Sequence, residues 1–353
     1  MPRSDRKEVQ QLEAHKEELA ELFTSMHFER YPELDEKYGE EGKRKCYEDT
    51  IQHLDYLEQA VRVESKELFN NYLGWARTML QEREMLKSDL VDNLATLRKA
   101  IKRTLPDGTA SSLNEYIDDG LSSLKNTDTE DITFLHEGDP LFDEANEYLD
   151  LLLSGKRKEA SQLIQTLVDE GTSIKDVYEH IFQKTQYEVG VLWQTNKITV
   201  AHEHYCTAAT QLIMSQLYPK IFAMGKSDKR LVACSIAEEL HEIGIRMVTD
   251  FFEMEGWDTH YLGSNMPDEH LIRSIKENDA DVLAISVTLP LHIGKAKNLI
   301  AKLREDRKLE NLKIIFGGYP FKTVPDLWKK IGADASAGSA DEAIEIANKL
   351  IEH

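Results

Sequence analysis

The sequence predicts an α/β protein with a long all-α portion, in which helices extend to about residue 222 and a doubly wound parallel sheet of five strands follows. Two observations predict this fold class. Apolar residues recur every three or four positions as far as Leu217, which is the spacing of amphipathic helices. From Lys229 onward, short β-branched runs alternate with amphipathic stretches, and this alternation is typical of parallel sheets with crossover helices.

Residues 1–130 are predicted to form an acidic, all-helical domain. Leu54, Val61, Leu68 and Tyr72 are among the apolar positions that continue one helical face, and Pro106-Asp107-Gly108 interrupts the pattern between two helices. The region holds 19 basic and 28 acidic residues, so it lacks the cationic face of a DNA-reading module.

A second helical block, residues 140–222, follows a polar stretch at Asn126–Asp131 that is predicted to be a linker. Short links between helices of this length are typical of an antiparallel four-helix bundle. The first helix is predicted to end before Gly155 and the second before Gly171. The third is predicted to begin near Ile174, and the fourth to run from about Ala201 to Leu217.

Residues 229–353 are predicted to form the parallel sheet. Sheets of this kind bind ligands beyond the carboxyl ends of their strands, where the strand order reverses. The five predicted strands are Leu231–Cys234, His260–Leu262, Val282–Val287, Leu312–Phe316 and Ala335–Ala337, each followed by a helix.

The composition excludes several classes of protein. The 353 residues include 43 Lys plus Arg and 64 Asp plus Glu, a net charge of −21, whereas nucleic-acid binding depends largely on clustered cations. No apolar run approaches the roughly 18 to 20 residues of a membrane span, and the first residues have no apolar core for a signal peptide. We therefore expect a cytoplasmic protein that binds neither DNA nor membranes.

The three cysteines, Cys46, Cys206 and Cys234, are far apart and odd in number. Neither a disulfide framework nor a paired-cysteine metal site is expected from this arrangement. We predict that they are small buried apolar residues.

The first predicted strand is followed by Glu239-Leu-His241-Glu-Ile-Gly244. A His on a strand-to-helix loop can offer one ring nitrogen to a metal, while a carboxylate two residues earlier holds the other nitrogen. Gly244 lets a bulky ligand approach the start of the helix. Taken alone, the same residues also fit a solvated loop His beside acidic neighbours.

Two further features share this edge of the predicted sheet. Ser286-Val-Thr288 ends the third strand with two hydroxyl groups, and Gly317-Gly318 ends the fourth strand without side chains. Such residues are expected to leave a slot that admits a long ligand arm. A turn with positive φ is the alternative explanation for the glycines.

These residues together resemble the cobalamin-binding domain of proteins that bind the cofactor base-off and His-on, with the usual motifs Asp-x-His-x-x-Gly, Ser-x-Leu and Gly-Gly. The resemblance covers residues 229–353 as a flavodoxin-like, Rossmann-type domain and 140–222 as its helical cap. It implies that His241 is the lower axial ligand of cobalt. Glu239 stands where the family has Asp. The nucleotide tail of cobalamin is then expected beside Ser286, Thr288, Gly317 and Gly318.

The cap resembles that of cobalamin-dependent photoreceptors, because Trp193 is followed ten positions later by Glu203-His204. In that family the Trp lies over an adenosyl group and the Glu and His surround it. An indole suits the covering of a purine or ribose, and a carboxylate accepts hydrogen bonds from ribose hydroxyls. The alternative is Trp193 in the bundle core, with Glu203 and His204 on the outer face.

One position departs from the light-sensing repressors of that family, which carry a His directly after the Trp where this chain has Gln194. The upper cobalt ligand after illumination is then expected to be His202, His204 or water. Those repressors also carry a basic helix-turn-helix region, whereas this chain begins with acidic helices, so direct DNA binding is not expected.

The amino-terminal domain resembles the globin-like helical segment of photocobilins, photoreceptors that bind biliverdin beside cobalamin. The likeness lies in domain order and helical length, with stretches such as Lys37-Tyr38-Gly39. It implies that His53, Tyr56 and Trp75 line a tetrapyrrole pocket. The same residues also fit ordinary positions of amphipathic helices.

These residues and resemblances are compatible with two functions. The first is a light sensor that is not an enzyme: adenosylcobalamin is bound between cap and sheet, light breaks its cobalt–carbon bond, and the relaxed cap changes how subunits of a homo-oligomer pack. The second is a methyl-carrying corrinoid protein of a methyltransferase system. A plain flavodoxin-like signalling domain is a third possibility, but it does not explain the pairing of His241 with Ser286 and Gly317-Gly318.

Overall fold

Residues 6–81, 87–126, 133–222 and 227–352 are described by a computed structural model. The chain divides into two units. Unit 1 comprises residues 1–128, 289–302 and 319–332, and unit 2 comprises residues 129–288, 303–318 and 333–353.

The amino-terminal part of unit 1 is helical, as the apolar spacing predicts. Its helices bury aliphatic side chains such as Leu57, Leu73 and Leu97, and Gly39 kinks the third of them because its φ is +53°. The helices are α1 (Lys7–Ala14), α2 (Lys16–Arg30), α3 (Pro32–Arg62), α4 (Lys66–Gln81), α5 (Lys87–Thr104) and α6 (Asp107–Asn126).

The cap is the first part of unit 2 and has the four helical rods that the sequence predicts. The third rod contains a π-helical segment, Val177–Gln183, between two α-helical pieces. The predicted linker lies, beyond Asn126, outside the described residues. The α-helices are α7 (Phe142–Leu153), α8 (Arg157–Asp169), α9 (Ile174–Asp176), α10 (Lys184–Gln194) and α11 (Val200–Ile221).

The sheet has five parallel strands in the order β2-β1-β3-β4-β5. The order reverses between β1 and β3, so these strands flank the switch point where ligands bind in open α/β sheets. The predicted fold class is confirmed. The strands are β1 (Arg230–Ser235), β2 (Asp258–Tyr261), β3 (Val282–Ser286), β4 (Lys313–Gly317) and β5 (Ala335–Ser336).

The strands alternate with helices, and one hydrophobic core within unit 2 joins the cap to the sheet. Trp257, Tyr178 and Phe251 are among its largest fully buried side chains. None of the described helices is long and apolar enough to cross a membrane. The helices are α12 (Ile243–Met254), α13 (Asp268–Glu277), α14 (Ile293–Glu305), α15 (Tyr319–Thr323), α16 (Leu327–Ile331) and α17 (Ala340–Ile351).

Unit 1 also contains two segments from the carboxyl-terminal third of the chain. The Gly294 amide, near the start of α14, donates a hydrogen bond to Gln59 Oε1 at 2.9 Å. Lys330 Nζ donates to the carbonyl of Glu64 at 3.0 Å. Helices α3 and α4 therefore belong with segments 289–302 and 319–332, an association that the pattern of apolar residues does not reveal.

Candidate functional site

The candidate site lies at the carboxyl edge of the sheet in unit 2. There the parallel register places Ser286 of β3 beside Ser235 of β1 on one side and Gly317 of β4 on the other. Residues that are far apart in the sequence thus end in one row, because parallel strands all finish at the same edge. The predicted Ser286 and Gly317 are brought together in this way.

The loop that carries His241 is fixed by hydrogen bonds from two neighbouring strands' ends. The Ser235 hydroxyl donates to the carbonyl of His241 at 2.8 Å. The side-chain Oδ1 of Asn265 accepts a hydrogen bond from the backbone amide of Glu238 at 2.8 Å. The backbone amide of Asn265 donates to the carbonyl of Glu239 at 2.9 Å. Glu238 takes the left-handed conformation, with φ +68°. The loop therefore has one well-defined shape.

Glu239 is fully buried and orients His241. Its Oε1 accepts from His241 Nδ1 at 2.5 Å and from the His241 amide at 3.1 Å. Its Oε2 accepts from the Thr288 amide at 2.9 Å, so the same carboxylate spans β1 and β3. The Glu239 side chain thus reaches across to the end of β3.

His241 presents a free ring edge. Its side chain is 58% exposed, and Nε2 has no hydrogen bond to any part of the chain that the structure describes. The hydrogen bond donated to Glu239 raises the pKa of the imidazole, and the negative charge of Glu203 adds a smaller effect in the same direction. A tautomer fixed at Nδ1 with an accessible Nε2 is the arrangement of a metal-ligating histidine.

The glycines differ in what they do. A Cβ on Gly244 would meet nothing within 4 Å, so the space at the start of α12 is open. Gly318 has φ +105°, and a Cβ there would lie 2.0 Å from the carbonyl oxygen of Val287. The expectation that Gly318 leaves room for a ligand is thus corrected: backbone fills that space, and the positive-φ explanation applies to this position.

The cap places Glu203 near His241 and carries Trp193 on its surface. Trp193, in the last turn of α10, is 44% exposed and is therefore not a core residue of the bundle. Glu203, in the first turn of α11, accepts from Thr207 Oγ1 at 2.9 Å and lies close enough to His241 to affect its pKa. The alternative that places Trp193 in the bundle core, with Glu203 and His204 on the outer face, therefore does not hold for Trp193.

The other predicted cap histidines have different surroundings. His204 pairs with Glu203 at 2.5 Å, and its side chain is 75% exposed. His202 Nδ1 belongs to the capping box of α11, where it lies 2.8 Å from Thr199 Oγ1. The Nδ1 atom of His202 is thus committed to the helix start.

Several site residues were not singled out from the sequence. Glu242 accepts from Gln211 Nε2 of α11 at 2.7 Å and from the Tyr261 hydroxyl of β2 at 3.2 Å. It ties the cap to the loop beside His241. Ser235 could have been found from the sequence, because it is a polar residue at the end of an apolar strand. Nothing in the sequence indicates that Glu242 contacts Gln211.

In unit 1, the residues proposed for a tetrapyrrole pocket lie in one aromatic cluster around Tyr72. His53 Nδ1 is 2.6 Å from the Tyr72 hydroxyl, and Tyr56 stacks on Tyr72 with ring centroids 3.7 Å apart. Trp75 stacks on the same ring at 6.0 Å. Burial lowers the pKa of His53 to about 4, so it is neutral at pH 7.

The cysteines mostly follow the sequence prediction. Cys206 and Cys234 are buried, and Cys46 is partly buried. Burial raises the pKa of all three thiols, so they are poor nucleophiles at neutral pH.

Two family models, both described as a B12 binding domain, match this chain at residues 229–348 and 144–218. Among curated relatives, a corrinoid protein of Desulfitobacterium hafniense is 27% identical over 205 residues, covering 57% of this chain and 94% of that protein. Dimethylamine corrinoid protein 1 of Methanosarcina acetivorans is 28% identical over 168 residues, covering 46% of this chain and 77% of that protein.

The monomethylamine corrinoid protein of Methanosarcina barkeri has a similar fold, with a TM-score of 0.53 and 20% identity, and the match covers 60% of this chain and 99% of that one. The family matches fall on the cap and on the sheet domain and include the His241 loop. This part of the chain is a cobalamin-binding module.

Proposed function

We propose that this cobalamin-binding chain is a corrinoid carrier in which His241 is the lower axial ligand of cobalt. The observation that carries the proposal is the buried Glu239 bound to Nδ1 of His241, whose ring is exposed and near Glu203 of the cap. When bound, the corrinoid supplies a cobalt centre whose upper ligand can be transferred or released.

The chain's own residues then perform three tasks. Glu239 holds the tautomer of His241 and so orients Nε2. The open space beside Gly244 leaves the start of α12 accessible to a ligand. Ser286 and Gly317, adjacent in register at the sheet edge, border the proposed position of the nucleotide tail.

The cargo favoured by the relatives is a methyl group, since several of them are named as dimethylamine corrinoid proteins. In this role the chain acts in the cytoplasm as a carrier between methyltransferases and is not itself an enzyme. In this role Trp193 and Glu203, as cap residues, would cover the bound cofactor until a partner displaces the cap.

A second candidate, a light sensor loaded with adenosylcobalamin, is favoured by one specific observation. Trp193 is a half-exposed indole on the same cap as Glu203, which gives an aromatic cover and a carboxylate suited to an adenosyl group. In that role, loss of the adenosyl group would change the packing of a homo-oligomer. Biliverdin at the Tyr72 cluster would be a second chromophore.

Loading the chain in the dark with methylcobalamin or adenosylcobalamin tests both candidates. After desalting, the absorbance spectrum and intact mass show which form is retained, and illumination shows whether it changes. Retention of methylcobalamin with transfer to an added thiol acceptor supports the carrier. Selective retention of adenosylcobalamin with a light-driven loss of the adenosyl mass supports the sensor and overturns the methyl cargo.

The variant Trp193→Ala sharpens this comparison. An adenosyl-covering indole predicts about fivefold or greater weakening of adenosylcobalamin retention and little change for methylcobalamin, since a buried aromatic contact is worth roughly 1 kcal/mol or more. Phe222→Ala, which removes another exposed aromatic of the cap, is the matched control. Failure of His241→Ala to weaken either form would overturn the corrinoid site itself.

A further inference from the structure

A buried carboxylate lies where the cap meets α12, the helix that begins two residues after His241. Asp250 of α12 is only 5% exposed. The Tyr178 hydroxyl donates to Asp250 Oδ2 at 2.8 Å, and the Tyr218 hydroxyl also hydrogen-bonds to this carboxylate. Tyr178 comes from the π-helical segment and Tyr218 from α11, so both donors belong to the cap.

Arg246, one turn before Asp250, completes the contact. Its guanidinium donates to the Tyr218 hydroxyl at 3.2 Å, to Ser215 Oγ at 2.7 Å and to the carbonyl of Gln211 at 3.3 Å. All three acceptors are on α11. Helix α12 therefore binds the cap through one carboxylate and one guanidinium.

The environment of Asp250 opposes its negative charge. Burial is the main cause that raises its pKa to about 6, and the charge of Glu253 acts in the same direction. Tyr178, Arg246 and Tyr218 lower the pKa but do not compensate for burial. These four groups are the ionisable residues with the largest effects on the pKa of Asp250.

We propose that Asp250, held by Tyr178 and Tyr218, is a positioning residue that acts as a protonation-dependent latch between the cap and α12. The relevance to cap release rests on the proposed function, in which the cap must leave the upper face of the corrinoid. The latch itself is a property of the chain without cofactor.

The direction of the pH dependence follows from burial. Lifting the cap removes two donors and hydrates Asp250, so its pKa returns toward the ordinary value of Asp. The closed state then binds more protons than the open state between these two pKa values, and raising the pH favours opening. With a closed-state pKa of about 6, the opening constant rises about tenfold between pH 5 and 8.

Amide hydrogen exchange of the full chain without cofactor tests the latch. The π-helical segment is stabilised by packing more than by its own hydrogen bonds, so its amides report release of the cap. In the wild type, protection factors of residues 177–183 should fall about tenfold from pH 5 to 8. In Asp250→Asn they should not change, and at pH 8 they should exceed those of the wild type.

Glu253→Gln is the matched control, because Glu253 is buried on the same helix but accepts from Thr259 Oγ1 of β2 rather than from the cap. It should keep a pH dependence of the same direction, somewhat smaller because the charge of Glu253 contributes to the raised pKa of Asp250. His241, whose pKa is raised by its hydrogen bond to Glu239, is unchanged in both variants. If Asp250 only made a structural contact, Asp250→Asn would lower protection at pH 8. A gain of protection at this pH therefore distinguishes the latch from a structural role.

Tyr178→Phe provides a second measurement. Removing this hydroxyl should weaken the latch and lower protection at pH 5, whereas Tyr148→Phe, which removes a buried hydroxyl bonded to Thr210 within the cap, should leave the pH dependence intact. Equal pH dependence in the wild type and Asp250→Asn would overturn the latch. Because no cofactor is used, that result would leave the cobalamin site unaffected.

Discussion

Glu239 shows how one side chain organises the loop that carries His241. Each carboxylate oxygen has a separate task, since Oε1 serves His241 and Oε2 serves the backbone of Thr288. A fully buried carboxylate is tolerated because it accepts several hydrogen bonds. The position of His241 is thus linked to the end of β3 through a single residue.

Glu239→Gln is expected to weaken hydroxocobalamin binding by roughly 10- to 100-fold, as for other residues that orient a metal-ligating histidine. A Gln can accept from His241 Nδ1 only by turning its NH2 group toward the Thr288 amide, which is also a donor. Binding is measured by absorbance titration. Glu269→Gln, an exposed carboxylate on α13, should bind as the wild type does, and a Glu239→Gln chain within twofold of the wild type would contradict the assignment.

At the scale of elements, the ends of β3 and β4 approach closely because Gly318 has no side chain. The Val287 amide donates to the carbonyl of Gly317 at 3.0 Å, and the Val287 carbonyl occupies the place of a Gly318 Cβ. The sheet edge therefore depends on a backbone contact. This backbone contact accounts for the glycine at position 318.

Gly318→Ala is expected to lower the free energy of unfolding by about 2 kcal/mol or more, because the residue has φ +105° and its Cβ would clash with the Val287 carbonyl. Urea unfolding followed by circular dichroism measures the change. Gly190→Ala in α10, where a Cβ meets nothing within 4 Å, should instead raise stability by up to about 1 kcal/mol. Equal midpoints for Gly318→Ala and the wild type would contradict the steric argument.

At the scale of the whole molecule, each unit carries a buried ionisable group, and the two groups give opposite dependences of folding stability on pH. Burial lowers the pKa of His53 in unit 1 to about 4, and burial raises that of Asp250 in unit 2 to about 6. His53 favours the folded state above its ordinary pKa, and this contribution is lost as the pH falls toward 4. Asp250 favours the folded state at low pH, and this contribution is lost as the pH rises through about 6.

His53→Gln tests the contribution of unit 1. The wild type should lose up to about 3 kcal/mol of stability relative to this variant as the pH falls from 6.5 to 4, since each pKa unit corresponds to about 1.4 kcal/mol. Denaturant unfolding at several pH values gives the difference. The exposed His270 offers a control in His270→Gln, which should show no such trend, and a pH-independent difference for His53→Gln would refute the burial of this ring.

Much of the fold was predictable from local patterns. The spacing of apolar residues predicts the helices of the cap, and the β-branched runs predict the five strands, because both signals depend on neighbouring residues. His241, Ser286 and Gly317 were predictable as one site because parallel strands end at a common edge. Periodicity did not reveal the π-helical segment, Val177–Gln183, whose apolar spacing resembles that of an α-helix.

The sequence by itself determined the order of elements, the sheet class and the loop that carries His241, since these follow from short-range patterns and chain direction. Only the tertiary structure decided that Gly318 is required by the Val287 carbonyl and that Tyr178 and Tyr218 meet Asp250. The physical reason is that close approach and burial depend on residues distant in sequence, and no local pattern records which polar groups will share a dry contact.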